Sequence, residues 1–263
     1  MFRIALIFWG LTRGLKNILQ SLQENVINIL KENGYEVDIF IHTYYFSNNS
    51  YTNIRHKVEN YKLDFEEYKL LNPTYAIVDN QDEVALKINL NQYRSMYDKF
   101  NNNYKTNDNH ILSLYSQQQI TRKFMEVKDK YKFAMFLRPD VLYHQKFNVD
   151  WLKKLNSKYI MMPKWGKFGG LNNRFCICTP ENAHKYGDIL QYLLDYSKND
   201  PIIAENYLKY IFTKIHPMPR ILINFSFTRM LPNGQVLHFD KDMKPYTNND
   251  DLGIEIEEVV IRK

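Results

Sequence analysis

"FRIALIFWGLTRGLKNILQSLQENVINILKENGYEVDIFIHTY", residues Phe2–Tyr44, decides the fold class. Phe2 to Phe8 is an apolar run of strand length. A Gly10-to-Gly14 turn leads into Leu15, Leu19, Leu22, Val26, Ile29 and Leu30, a helical spacing that Asn33-Gly34 ends in the manner of a C-cap. "YEVDIFIHTY" is a second strand. A short strand, a helix of about five turns and another short strand form a βαβ unit, whose strands are expected to be parallel neighbours.

The pattern continues outward from this unit. Phe46 to Asn72 has weak periodicity and reads as loop and short helix, and "TYAIVDN" (Thr74–Asn80) as a third strand with Asp79 at its exit. The Asn-rich "FNNNYKTNDNH" is a loop before a strong helix from about His110 to Lys130. "FAMFLRPD" is the fourth strand and "YIMMPKW" the fifth, and the Gly-rich "GKFGGLNNRFCICT" runs into another short strand. Two helices are expected over about Glu181–Ser197 and Pro201–Lys214, the second with proline in its first turn. "QVLHFD" reads as a strand after the turn Pro232-Asn233-Gly234, and the tail from Lys241 as an added strand or arm. With no repeat and no linker, a single domain over 1–263 is expected, with a nucleotide-binding half to about 145 and an acceptor half from about 146.

Composition bounds the function. The chain has 263 residues, 44% hydrophobic and 15% aromatic, enough for a sizeable core. The formal charge is +6, but 35 basic residues are interspersed with 29 acidic ones and form no block. That favours anionic ligands mildly, and no nucleic-acid-binding motif is visible. Cys176 and Cys178, two apart on a strand, point to one face, where a disulfide would be strained; no disulfide framework or zinc site is indicated, which suits a reducing compartment. "FRIALIFWG" carries Arg3, is too short for a membrane span and lacks a small-residue cleavage site, so it reads as the first core strand of a cytoplasmic protein with no transmembrane segment.

Open α/β sheets bind ligands at the carboxyl ends of their strands. Four strand exits carry polar residues suited to that edge: Gly10-Leu11-Thr12-Arg13, His42-Thr43, Asp79, and Arg138-Pro139-Asp140. The first, "FWGLTRG", from Phe8, sets a permissive glycine, a hydroxyl and a guanidinium before a helix N-terminus, a setting for phosphate or a tight turn with a solvated arginine. It is neither a Walker A loop nor a complete GxGxxG fingerprint.

The fourth exit, "MFLRPDVLY", resembles the Arg-x-Asp variant of the acidic strand-end motif in nucleotide-sugar glycosyltransferases of the GT-A fold, as in capsule and lipopolysaccharide enzymes and large DNA viruses. Their Gly-rich loop and Asn-Asp-Arg-Phe segment is matched by "GGLNNRF" (Gly169–Phe175), their small-residue-Glu step by "AEN" (Ala204–Asn206), and their Arg-x-x-x-Asn-Gly-like end by "RMLPNG" (Arg229–Gly234). The resemblance is to an order of short motifs over most of the chain. The strand lacks a full Asp-x-Asp pair, and Asn173 stands where the family often has Asp.

The resemblance implies a GT-A-like, Rossmann-type mixed and mainly parallel sheet flanked by helices. It also implies transfer of a sugar from a nucleoside-diphosphate donor, UDP-linked by preference, to a glycan or glycoprotein acceptor. A divalent cation, Mn²⁺ or Mg²⁺, would stabilise the leaving diphosphate as a Lewis acid on hard oxygen ligands, with Asp140 as its anchor and His238 in "VLHFD" as a further ligand. Arg138 would orient that carboxylate or touch phosphate, or form a structural ion pair. Glu205 is the candidate base, although the macrodipole favours Glu in a first turn anyway. Phe8, Gly10, Thr12, Arg13, Asp79 and Arg94 are candidate donor contacts, with Gln117–Gln119 beside them, and Trp165 and Phe168 are candidate platforms for an acceptor sugar or packing aromatics. The alternative is a non-catalytic module on the same fold that binds a glycan or an anionic polymer.

Overall fold

A computed structural model describes residues 2–53, 57–237 and 253–259. The opening apolar run forms β1 (Phe2–Trp9), and its side chains divide by parity. Ile4, Leu6 and Phe8 enter one hydrophobic cluster, and Ala5, Ile7 and Trp9 enter another on the opposite face. A strand with period-two side chains that are apolar on both faces belongs inside a covered sheet. The chain then runs through α1 (Leu15–Leu22), a π-helical turn over Gln23–Ile27, and α2 (Asn28–Glu32), covering the first face with Leu15, Ile18, Leu22, Val26 and Leu30. Gly34, at φ +82°, turns it into β2 (Tyr35–Tyr45), which pairs parallel with β1 from Phe2↔Tyr35 to Trp9↔His42.

The next segment is more ordered than its sequence suggests. It forms an antiparallel hairpin of β3 (Ser50–Asn53) and β4 (Val58–Lys62) and a 3₁₀ turn over Glu67–Leu71, before β5 (Tyr75–Asn80) pairs parallel with β2. After α3 (Gln81–Ile88), the Asn-rich stretch is ordered by Asp98, whose carboxylate accepts the backbone N–H groups of Asn102 (2.7 Å) and Tyr104 (2.9 Å). As a result α4 (Lys105–Met125) begins five residues earlier than its apolar pattern suggests, and it packs Ile111, Leu114, Ile120 and Phe124 on the second face of the sheet.

β6 (Phe133–Leu137) pairs parallel with the other side of β1, and the chain turns through Arg138-Pro139-Asp140 into β7 (Val141–Tyr143). β8 (Ile160–Pro163) and β9 (Phe175–Cys178) follow; β9 runs antiparallel between β6 and β8 and puts Cys176 and Cys178 on one buried face, unlinked. The first expected helix is broken into α5 (Ala183–Gly187) and α6 (Leu193–Ser197), whereas the second forms one run of α7 (Ala204–Tyr210) and a π-helical turn over Ile211–Ile215, starting after Pro201 instead of at it. β10 (Arg220–Ile223) pairs parallel with β8, β11 (Phe227–Arg229) pairs antiparallel with β7, and β12 (Glu255–Glu257) closes the sheet edge against β10. Of the expected strand "QVLHFD" only Val236 pairs, in a single bridge to Met230, and His238 lies outside the described residues.

The sheet order is β12-β10-β8-β9-β6-β1-β2-β5, with all strands but β9 and β12 running one way. It is a mixed, mainly parallel sheet with helices on both faces. The chain leaves β1 toward α1 on one face and returns to β6 from α4 on the other, so the exits of β1 and β6 flank the crevice where such sheets take ligands. Two of the expected exits are not exits. His42 and Thr43 are buried inside β2, which runs on to Tyr45, and Asp79 lies within β5. No helix among the described residues is long and apolar enough to cross a membrane.

Candidate functional site: an arginine-lined cavity at the carboxyl edge of the sheet

A cavity of about 1150 Å³ opens where the exits of β1 and β6 diverge, roofed by the β3–β4 hairpin on one side and by the first half of α4 and the start of α7 on the other. Among the described residues its charged lining is Arg13, Lys105, Arg138 and Arg229, with no carboxylate. Focused positive charge in a concave, partly dry site selects for anions.

Each guanidinium arrives for a separate reason. Arg13 follows β1, stacks over Tyr51 of the hairpin at 4.9 Å, donates to its hydroxyl at 2.5 Å and lies 3.6 Å from Asp140. Arg138 folds back across the Pro139 turn so that Nε and Nη2 donate to the two carboxylate oxygens of Asp140, both at 2.8 Å. Arg229 is set opposite Val141 by the β7–β11 pairing, which the Met230 N–H extends by donating to the Asp140 carbonyl at 2.8 Å. Its guanidinium makes no hydrogen bond or ion pair among the described residues. Burial, together with Arg174, Arg138 and Arg13, pulls its pKa down to about 10, against the opposing pull of Asp140.

Asp140 is 3% exposed. Burial alone would raise its pKa, but the Arg138 fork, with Arg13 and Arg229 beyond it, holds it far below the ordinary carboxylate range. Its two oxygens are therefore ionised and already bridged. This bears on the divalent cation that the sequence resemblance implies. A hard cation needs several oxygen ligands with lone pairs to offer. Here one carboxylate is forked by Arg138 with two further arginines, Arg13 and Arg229, beside it, and no group of three or more His, Cys, Asp or Glu side chains gathers among the described residues. These residues do not fit Mn²⁺ or Mg²⁺.

The turn after β1 departs from expectation too. The first amide of α1, Leu15 N–H, donates to the Glu67 carboxylate at 2.8 Å, so the chain's own buried glutamate occupies the helix N-terminus read as a phosphate setting. Burial raises the Glu67 pKa. Gly14, at φ +78°, fits where a Cβ would stand 3.2 Å from the Leu231 carbonyl. Gly10 lines the cavity, and its N–H donates to Ser116 Oγ at 2.7 Å.

Ser116, His42 and Asp79 form a Ser-His-Asp sequence of contacts, 2.8 Å from His42 Nδ1 to Ser116 Oγ and 3.1 Å from Nε2 to Asp79. Ser116 and His42 are fully buried. The Asp79 carboxylate favours the Nε2–H tautomer, which leaves Nδ1 to accept from the serine, and burial lowers the His42 pKa. With its hydroxyl committed to His42 and Gly10, Ser116 ties the end of β1 to β2 and α4. Asp79 also accepts from Tyr115 at 3.4 Å, so its carboxylate serves this brace and is not in the cavity wall.

The remaining sequence candidates separate in the same way. Phe8 and Thr12 are buried and lie outside the cavity lining, and Arg94 pairs with Asp108 at 2.9 Å. Gln117 lines the cavity, whereas Gln118 donates to Asp188. Trp165 is core: it donates to the Phe225 carbonyl at 2.8 Å and packs on Phe227, while Phe168 is 57% exposed beneath the Arg174 guanidinium.

The Gly-rich loop is pressed against α7. Leu171 N–H donates to the Glu205 carbonyl at 2.9 Å, and a Cβ at Gly170 would fall 1.9 Å from that oxygen, so only glycine fits. Buried Asn172 braces the loop, donating to the Trp165 carbonyl at 3.0 Å and accepting from Arg174 N–H at 2.9 Å; its neighbour Asn173 reaches the cavity wall. Arg174 lies 3.9 Å from Glu205, whose neighbour Ala204 lines the cavity.

No model of a protein family matches the chain, and no protein of curated function matches it in sequence. Among solved structures, mouse xyloside xylosyltransferase 1 in its apo form aligns with a TM-score of 0.39 and 11% identity, over 82% of this chain and 83% of that chain.

Sequence reasoning brought Gly10, Arg13, Arg138 and Asp140 to one place. It missed Arg229 and Arg174 as site residues, although both stand in the short motifs "RMLPNG" and "GGLNNRF". It also missed His110, which lines the cavity with a buried Nε2 that has no hydrogen-bond partner among the described residues; burial and Arg138 pull its pKa down to about 4.

Proposed function

We propose that the chain is a glycosyltransferase that moves a sugar from a nucleoside-diphosphate sugar, a UDP-sugar by preference, to a glycan acceptor. The observation that carries this reading is the lining of the cavity at the β1/β6 crevice: Arg13, Arg138 and Arg229, with no facing carboxylate among the described residues. Three guanidiniums against the single carboxylate of Asp140 leave two net positive charges, the complement of the two phosphate charges of such a donor. Phe46 and Phe100 in the same lining offer accessible aromatic surface of the kind a nucleoside base takes. The order of short motifs supports the same reading, because "LRPD", "GGLNNRF", "AEN" and "RMLPNG" converge on this one edge.

In the proposed transfer the bond from the sugar C1 to the β-phosphate oxygen breaks and its electron pair stays on the diphosphate. The acceptor oxygen bonds C1, and its proton passes to a base, for which Glu205 beside Ala204 is the candidate. Charge grows on the leaving diphosphate, so fixed cations aimed at it lower the barrier more than they tighten the ground state.

A screen of nucleoside-diphosphate sugars for donor hydrolysis and transfer, repeated on Asp140→Ala, tests the reading. Release of nucleoside diphosphate from one donor class, lost in the variant, is the expected result. Absence of turnover and binding with every donor would sink it, and glycan binding indifferent to Asp140 would favour a non-catalytic module instead.

A further inference from the structure

We infer that Arg13, Arg138 and Arg229 take the place of a divalent cation in this chain, gripping a diphosphate directly, with Asp140 as the positioning residue that holds two of them. The inference rests on the nucleotide-sugar reading for the identity of the donor, and on the cavity alone for the diphosphate grip.

Asp140 presents both oxygens to Arg138 at 2.8 Å and one of them to Arg13 at 3.6 Å. A cation entering there would have to displace a bidentate fork and then stand among Arg13, Arg138 and Arg229, all of its own sign. The reverse arrangement displaces nothing from Asp140. A guanidinium forked to a carboxylate still has N–H donors left, and Arg13 and Arg138 both line the cavity. Arg229 is the second, independent sign: it lines the same cavity with no hydrogen-bond or ion-pair partner among the described residues. A cation enclosed with like charges is costly to hold unless an anion completes it. Arginine suits that anion, because its planar fork matches two phosphate oxygens at once.

In chemical terms the guanidiniums do what the Lewis acid would have done. As the bond from C1 to the β-phosphate oxygen breaks, the electron pair lands on an oxygen already facing fixed N–H donors. The products are glycoside, nucleoside diphosphate and one proton, with no redox change and no co-reactant.

The test measures binding of inorganic pyrophosphate and of UDP by calorimetry in excess EDTA, and again with added Mn²⁺ or Mg²⁺. Both ligands are expected to bind as well in EDTA as with metal. Arg229→Met is expected to weaken both by about tenfold or more, the loss of one charge-assisted contact, and Arg229→Lys to recover part. Arg229 is the residue to change because its removal leaves no described carboxylate unpaired, so the variant should fold.

Binding that appears only with metal overturns the inference and leaves the nucleotide-sugar reading standing. So does unchanged affinity in Arg229→Met. If pyrophosphate binds in EDTA but no nucleotide does, the arginine grip stands and the nucleotide-sugar reading falls. If neither ligand binds under any condition, both fall.

Discussion

Replacing Arg229 by methionine should make the ligand-free protein more stable. In the folded chain the Arg229 pKa is pulled from the ordinary arginine range down to about 10 by burial and by Arg174, Arg138 and Arg13. A depression of that size corresponds to roughly 3 kcal/mol against the charged form, and solvent in the cavity mouth reduces it to about 1–3 kcal/mol. Methionine keeps much of the apolar stem packed and has no charge to bury. For a chain of this length each kcal/mol moves the melting temperature by about 2–4 °C, so Arg229→Met should melt several degrees above the parent at neutral pH. The pH dependence has a definite sign. The penalty is fully present at neutral pH, where the residue is charged in both states, and fades only as pH rises into the strongly alkaline range. Pyrophosphate should raise the parent's melting temperature through linkage and raise the variant's much less. Differential scanning fluorimetry in EDTA reads all of this. A variant that melts lower than the parent, or that responds to pyrophosphate as the parent does, refutes the reasoning.

Three further outcomes follow from the same geometry. Arg138→Ala strips the buried Asp140 carboxylate of its bidentate fork, leaving only the longer-range Arg13 and Arg229, and should cost about 3–5 kcal/mol in urea denaturation; adding Asp140→Asn should return much of that loss, whereas two additive losses would contradict the pairing. Stability should fall as pH drops from about 6.5 toward 4, because over that window the unfolded chain takes up protons that His110 refuses when folded; buried His42 shifts in the same direction, so His110→Gln should flatten the acid slope only in part, and an unchanged slope would show that His110 is not held neutral. Glu205→Gln should leave UDP affinity near the parent value and lower turnover by about a hundredfold or more if Glu205 is the base; a change in donor KM alone would assign it to binding.

The first half of the fold was legible because its signals are local. Period-two apolar runs and a helical spacing ending in Asn33-Gly34 sit within one stretch, and β1, α1 and β2 need only neighbours in sequence to form. The start of α4 was not legible, because Asp98 and Asn102 order the Asn-rich stretch through hydrogen bonds that no apolar pattern records. Strand ends were misplaced where polar residues turned out to be interior. His42 reads as an exit because histidine interrupts an apolar run, yet Ser116 and Asp79 from other elements satisfy both ring nitrogens and let it stay inside β2. The broken helix between Glu181 and Ser197 shares a cause with this: tertiary contacts, such as the Tyr207 hydroxyl donating to the Ile189 carbonyl at 2.5 Å, hold its joint.

The site divides along the same line, and the division reverses its sign. Arg13 and Asp140 could be put together from sequence, since β1 and β6 are neighbours and each is followed by its charged residue; the structure pairs Phe8 with Leu137 and brings the two exits side by side. What sequence could not supply is Arg229, which arrives through a three-residue pairing of β7 with β11, too short to carry any periodicity, or Arg174, held by the Asn172 brace. Without those two, a lone carboxylate at a strand end looks like an anchor for a cation that lacks its second ligand. With them the same carboxylate is outnumbered, and the charge of the cavity suits an anion. A short acidic motif is therefore read correctly only with the charges that distant segments bring to it. Here Asp140 serves the ligand through Arg13 and Arg138, so Asp140→Asn should loosen both guanidiniums and lower pyrophosphate affinity while leaving Arg229 in place, a smaller loss than the two changes give together.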